Sequence, residues 1–233
     1  MNYINSHLCS INIFLPVIFG FVVLCVPSGW QKIIKYFSLA AALATLLFSV
    51  LCFVNVSGTG DFELIEKLGW IQSLGASYYV GLDGTSALLL LLVAILTTVA
   101  VVAAFDEIDK NQKYFYAVLF VFETCLFGVF ASLDVLQLYI FWSVSILAVF
   151  FAIGVWSKAD KLFSSALFIV IFGLASALVF SAMFYLWAAT GSFSLISWYS
   201  SRLSVNQQLF LFTLFAACFA ITIPLASFHT WFP

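Results

Sequence analysis

Apolar stretches of about 20 residues follow one another along this chain with polar punctuation between them, the pattern of helices crossing a hydrocarbon layer roughly 30 Å thick. They predict helices at about 11–27, 36–55, 84–105, 115–132, 135–156 and 164–189, with a seventh beginning near Leu209. Ser28-Gly29-Trp30 marks a short first loop. Asn55 to Tyr79 is the longest connection; Gly58, Gly60, three acids and Trp70 make it too polar to span, with room for a short amphipathic surface segment. Asp106 to Lys113 is a charged turn. Gly191 to Gln208 is a second polar connection, in which Trp198 and Tyr199 suit the headgroup level. Met1 to Ser10 offers no basic n-region ahead of the apolar run Ile11 to Val26, so that run reads as a retained first helix and not a cleaved signal.

Charge placement is independent of that layout and fits it. On an alternating path Lys32, Lys35, Lys110, Lys113, Lys158 and Lys161 fall on one side and Lys67 and Arg202 on the other. Six against two puts the six in the cytoplasm (or matrix) and the N-terminus outside. Composition agrees: 65% of the 233 residues are hydrophobic and 8% charged, too few to clothe a soluble domain. The 28 phenylalanines are ordinary for bilayer-facing helices. Eight basic residues and a net charge of -2 leave no patch to hold a nucleic acid. Cys9, Cys25, Cys52, Cys125 and Cys218 form no CxxC and read as membrane thiols, not metal or cluster ligands. His7 and His229, one near each end, are the only imidazoles, which argues against a paired-histidine haem site. No cofactor is expected.

Ionisable residues inside the spans are the candidate chemistry. Glu123, near the centre of the fourth helix, is the only one at mid-helix, where an acid costs about 2.5–3.5 kcal/mol before any partner is counted. It is a proton-relay position or a neutral carboxyl bonded to a neighbouring helix; Gln137, Ser143 and Ser145 on the fifth helix are possible polar contacts. Asp134, between the fourth and fifth helices, and Asp83, before the third in Gly81-Leu82-Asp83-Gly84-Thr85-Ser86, suit helix capping. The latter run lacks the lysine of a phosphate loop. Thr222-Ile223-Pro224 interrupts the seventh helix, since proline has no N–H for the preceding turn. Broken membrane helices occur where they line a cavity or ion path. Thr213 and Thr222 carry no charge there, while His229 beyond the break titrates near neutrality, as part of a proton path or as an interfacial hydrogen-bonding group.

The same residues carry a resemblance. Asp83-Gly84-Thr85-Ser86, Gly128-Val129-Phe130-Ala131-Ser132-Leu133-Asp134, Tyr139-Ile140-Phe141-Trp142, Ala148 to Trp156, and Pro224 with Phe228-His229-Thr230-Trp231-Phe232-Pro233 stand in an order spanning about residues 12–233. That ordered set resembles the N-terminal part of the antiporter-like, proton-pumping subunit M family of respiratory NADH:quinone oxidoreductase (complex I). The resemblance implies an all-α integral membrane fold of about seven transmembrane helices with a proline-broken seventh, and a membrane-arm role without a redox centre. It also implies one transmembrane domain over 1–233, with N-terminal helices in 1–110 and an incomplete first five-helix repeat in 111–233. In the family, a glutamate on the fifth helix pairs with a lysine on the seventh; those positions here are Ser143 and Thr222, so both halves of the ion pair are neutral. Loss of both together is physically coherent, because removing one partner alone strands a buried charge. The family has about fourteen helices, so later helices would come from a separate chain, beside other membrane-arm subunits in a bacterial inner membrane. The alternatives are a degenerate structural subunit that pumps nothing and a component of a cation/proton antiporter complex. A reporter fused at residue 110 is expected to label from the cytoplasm and one at residue 65 from the opposite side; the reverse pattern contradicts the topology.

Overall fold

The computed structural model describes residues 7–58, 60–157 and 161–223. Its elements are α1 (Leu8–Cys25), α2 (Gln31–Asn55), β1 (Glu63–Ile71), a 3-10 turn (Gln72–Leu74), β2 (Ala76–Leu82), α3 (Gly84–Glu107), α4 (Gln112–Ala131), α5 (Val135–Trp156), α6 (Lys161–Thr190), the short α7 (Leu195–Tyr199) and α8 (Val205–Thr222). Seven of these helices, α1 to α6 and α8, are long and apolar enough to cross a membrane, matching the expected spans. The chain is a multi-pass membrane protein.

Helix ends depart from the apolar runs where polar side chains support extra turns. The second span begins at Gln31 because Lys35 lies along apolar surface and donates from Nζ to the Phe105 carbonyl, with its ammonium 5.9 Å from the Phe105 ring centroid. The seventh span begins at Val205 because Ser204 and Gln207 form a reciprocal capping box. It ends at Thr222, with Ile223 extended (φ -86°, ψ 121°), the conformation favoured ahead of a proline. Pro224 and His229 lie outside the described residues.

The long connection differs more. It folds into a two-stranded hairpin of β1 and β2, not a surface helix. Weighing the segment by polarity alone misses that Ile65, Tyr78, Tyr79 and Val80 are strand formers, and that Gly75, at φ 67°, supplies the left-handed residue the turn needs.

By contacts the chain divides into two compact units, residues 1–68 with 78–133 and residues 69–77 with 134–233. In the first, α1 packs chiefly on α4 and α2 on α3. A side chain at Gly20 would meet the Ala117 carbonyl and the Phe120 Cβ at 3.4 Å, so a glycine lets α1 and α4 approach. Val23, Ile34, Ala42, Val101, Tyr116 and Phe120 form its apolar core. α4 thus packs with the three helices before it. In the second unit α6 packs against α5 and α8, and a core of Ala76, Val135, Met183 and Phe193 lies beneath the hairpin tip.

Two acids fix helix starts. Asp83 accepts from Ser86 N at 2.7 Å and caps α3. The Ser86 hydroxyl and amide together hold the Asp83 carboxyl below its usual range. Asp134, 1% exposed, accepts at Oδ1 from Leu136 N (3.0 Å) and Gln137 N (3.3 Å), and at Oδ2 from Ser77 N on β2 (2.8 Å). One carboxylate therefore caps α5 and ties down the hairpin tip. Replacing Asp83 with Ala is expected to cost about 0.5–2 kcal/mol, the usual loss of a cap. Because the Asp83 carboxyl is depressed in the folded protein, this contribution is present above roughly pH 4 and fades as pH falls through the lowered value. Asp134→Ala is expected to lower the thermal midpoint in detergent further, since it also strands the Ser77 amide at about 1–3 kcal/mol. Equal midpoints for the two variants contradict this assignment.

Candidate functional site

Glu123 sits on the inner face of α4 and is 0% exposed. Its hydrogen-bond partner is on α2: Thr45 Oγ1 stands 2.9 Å from Glu123 Oε1. On α5, Ser145 Oγ donates to the Trp142 carbonyl at 2.6 Å. Thr45 Oγ1 also lies 2.9 Å from the Ala42 carbonyl, which Thr98 Oγ1 approaches at 3.4 Å. Glu123 Oε2 is buried with no hydrogen-bond partner among the described residues.

Thr45 has one hydroxyl proton and two oxygens to give it to. With Glu123 ionised, Thr45 donates to Oε1. With Glu123 neutral, the carboxyl proton goes to Thr45 and the Thr45 proton to the Ala42 carbonyl. One hydroxyl rotation separates the two states, so the pair accommodates a proton gained or lost without moving a helix.

The other sequence candidates lie elsewhere. Asp83 and Asp134 occupy helix N-caps, with their hydrogen bonds spent on backbone amides. The Ser143 hydroxyl on α5 is buried without a partner among the described residues, and Thr222 Oγ1 donates back to its own helix at Cys218 O (3.1 Å). Within that unit, Ala175, Val179 and Cys218 pack with Tyr139, Trp142 and Phe215, an apolar core with Tyr139 Oη and Ser176 Oγ hydrogen-bonded at 2.8 Å. Cys9, Cys52, Cys125 and Cys218 are buried free thiols, and Cys25 is an exposed one.

Sequence reading passed over a second acid. Glu66 on β1 is 8% exposed and anchors a network at the start of α1. Its Oε1 accepts from Ser10 N at 2.9 Å; its Oε2 accepts from Ser10 Oγ at 2.7 Å and lies 3.0 Å from His7 Nδ1. Tyr78 Oη meets Ser10 Oγ at 2.6 Å. Burial, opposed by the Ser10 hydrogen bond, pushes the Tyr78 phenol up to about 12. The signal available was strand alternation, which turns Glu66 to the side opposite Ile65 and Lys67.

Residues 132–233 match the family of NADH:quinone oxidoreductase/Mrp antiporter transmembrane segments. NADH-ubiquinone oxidoreductase chain 4 of Chondrus crispus is 31% identical over 221 residues, 94% of this chain and 45% of the relative. NADH-quinone oxidoreductase subunit M of Rickettsia conorii is 26% identical over 235 residues, 96% of this chain and 47% of the relative. A chain of respiratory complex I from Thermus thermophilus superposes with a TM-score of 0.84 at 21% identity, covering 96% of this chain and 45% of that one. The chain carries the fold of an antiporter-like membrane subunit. It resembles subunit M and chain 4 along nearly its whole length, and spans about half the length of the curated relatives it matches.

The Thr45–Glu123 pair yields a stability test. Thr45→Val strands the remaining carboxyl and is expected to cost about 1–3 kcal/mol in a Glu123 background. In a Glu123→Leu background the same change is expected to cost well under half of that, because both polar groups are then gone. Thermal unfolding of the four proteins in detergent gives the coupling, and additive effects contradict the pairing.

Proposed function

We propose that this chain is a membrane-arm subunit of a proton-translocating quinone oxidoreductase complex, with Glu123 as its proton-holding group and the electron chemistry on other chains. The observation carrying this reading is a wholly buried carboxyl in mid-span with one oxygen unpartnered and a two-way hydroxyl on the other. Likeness to subunit M supports it, as does the motif order of the sequence. In this reading His229 is a further proton-path group beyond Pro224, and Asp83 and Asp134 hold the helix starts. Residues 111–233 correspond to an incomplete first repeat behind the helices of 1–110. Other membrane-arm subunits flank the chain in a bacterial inner membrane, a separate chain supplies the later helices, and the six-to-two distribution of basic residues supports an N-terminus outside.

A second reading keeps the assembly and removes the pumping. Ser143 and Thr222 stand where the family pattern has its glutamate and lysine, so the chain then acts as a spacer with an inherited fold.

Proton translocation by the complex in proteoliposomes, normalised to quinone reduction, separates the two. Glu123→Gln is expected to remove most of the translocation with assembly intact, while Ser143→Ala changes it little. Equal and severe loss from both makes Ser143 an essential hydrated link. Full pumping by both variants leaves only the structural role.

A further inference from the structure

The first unit contains a column of polar groups that the proposed role of Glu123 does not by itself use. On α2, Ser38, Thr45, Ser49 and Cys52 are all 0% exposed and share one helix face. Thr45 meets Glu123 on α4. One turn further, Ser49 Oγ donates to Asn12 Oδ1 on α1 at 3.2 Å. Next, Cys52 Sγ donates to the Leu8 carbonyl at 3.9 Å. Thr45 to Cys52 is two helical turns, about 10 Å along the axis. Further along α1, Ser10 donates its amide and hydroxyl to Glu66, with His7 and Tyr78 on the same network.

Asn12 is 1% exposed and its Nδ2 has no hydrogen-bond partner among the described residues. Glu123 Oε2 is another such atom, as is Ser38 Oγ on the same face of α2, and the Asn12 and Glu123 side chains are tied to neighbouring rungs of α2, Ser49 and Thr45. A buried amide N–H and a buried carboxyl oxygen each call for a polar partner, and water supplies one to both.

We propose that α1, α2 and α4 hold a water-bridged proton wire between Glu123 and Glu66, with Asn12 as the positioning residue that orders its water. This rests on the reading of Glu123 as a proton-holding group. A proton leaves the Glu123 carboxyl for the bridging water; Thr45, Ser49, a second water between Ser49 and Ser10, and Ser10 each accept one proton and release one, and Glu66 carboxylate receives the last. Glu123 ends ionised, Glu66 ends neutral, and nothing is oxidised or reduced. The titratable groups around Glu66 are His7 and Tyr78 in contact and the thiols of Cys9 and Cys52 on the adjoining helix faces; Lys67 is turned over the Tyr79 ring, 4.7 Å from its centroid. Glu66 lies on the connection opposite the lysine-rich one, so the wire opens on the non-cytoplasmic side.

Infrared spectroscopy of the full chain in lipid nanodiscs tests this without any pumping assay. The protonated carboxyl band of Glu123, assigned by its loss in Glu123→Gln, is followed across pH after transfer to deuterium oxide. Asn12→Leu is expected to slow its exchange at least tenfold and Glu66→Gln to slow it too, while Asn12→Ser restores the rate. Ser49→Ala replaces Asn12→Leu if the latter fails to fold, with the same slowing expected. Exchange at the wild-type rate in Asn12→Leu or Ser49→Ala, or a Glu123 band absent at every pH, overturns the proposal. Exchange that follows Asn12 in a complex that pumps nothing leaves the wire standing and removes the transport reading.

Discussion

The hydrocarbon of a bilayer offers a polar group no partner, so every N–H, C=O and carboxyl at that depth must find one in the protein or in water the protein encloses. This constraint orders the rest of the structure. Backbone groups satisfy it as seven apolar helices, and the outer faces, with Phe21, Leu47, Val54, Val99 and Phe212 exposed, offer hydrocarbon to lipid. Many of the remaining polar side chains turn inward, while Ser181 and Thr213, on the outside, bond back to their own helices. α2 shows the division clearly: Ser38, Thr45 and Ser49 are sealed on one face while Leu43, Leu47 and Val50 face out. Glu123 is the hardest group to place, and the Thr45 hydroxyl that receives it also decides what it can do, because one proton shared between Ala42 and Glu123 makes a switch of otherwise neutral parts.

At the membrane borders the same constraint is met with caps and short strands. Asp134 shows how much one residue can absorb: two amides at the start of α5 and one at the hairpin tip end on a single buried carboxylate. Its place in the stretch Gly128 to Asp134 is therefore accounted for by architecture. The Glu66 network does the corresponding work at the other end of the hairpin, pinning β1 to α1 through Ser10.

The spans were legible because twenty apolar residues have few alternatives, and the seven long apolar helices match them in number. Boundaries moved where long side chains extended helices past the apolar run, as at Lys35, or where a capping box set the start, as at Ser204. The hairpin was not legible from hydropathy, since its strand formers are diluted among Glu63, Glu66 and Lys67 and reveal themselves only by alternation. For the site, Glu123 stood out from position alone. Thr45, 78 residues away, did not, because a threonine inside an apolar helix resembles any other until packing places it. Ser143 and Thr222 were conspicuous only against the family pattern; among the described residues one is an unpartnered hydroxyl and the other is bonded to its own helix.

What remains is whether this half-length relative of subunit M works inside a larger assembly. Purification of the tagged chain from native membranes in mild detergent, with identification of everything that stays bound, addresses that directly. The account predicts membrane-arm and peripheral subunits of a quinone-reducing complex, among them a chain bearing the later antiporter-like helices. A chain that purifies alone, as a stable monomer with none of these, contradicts it.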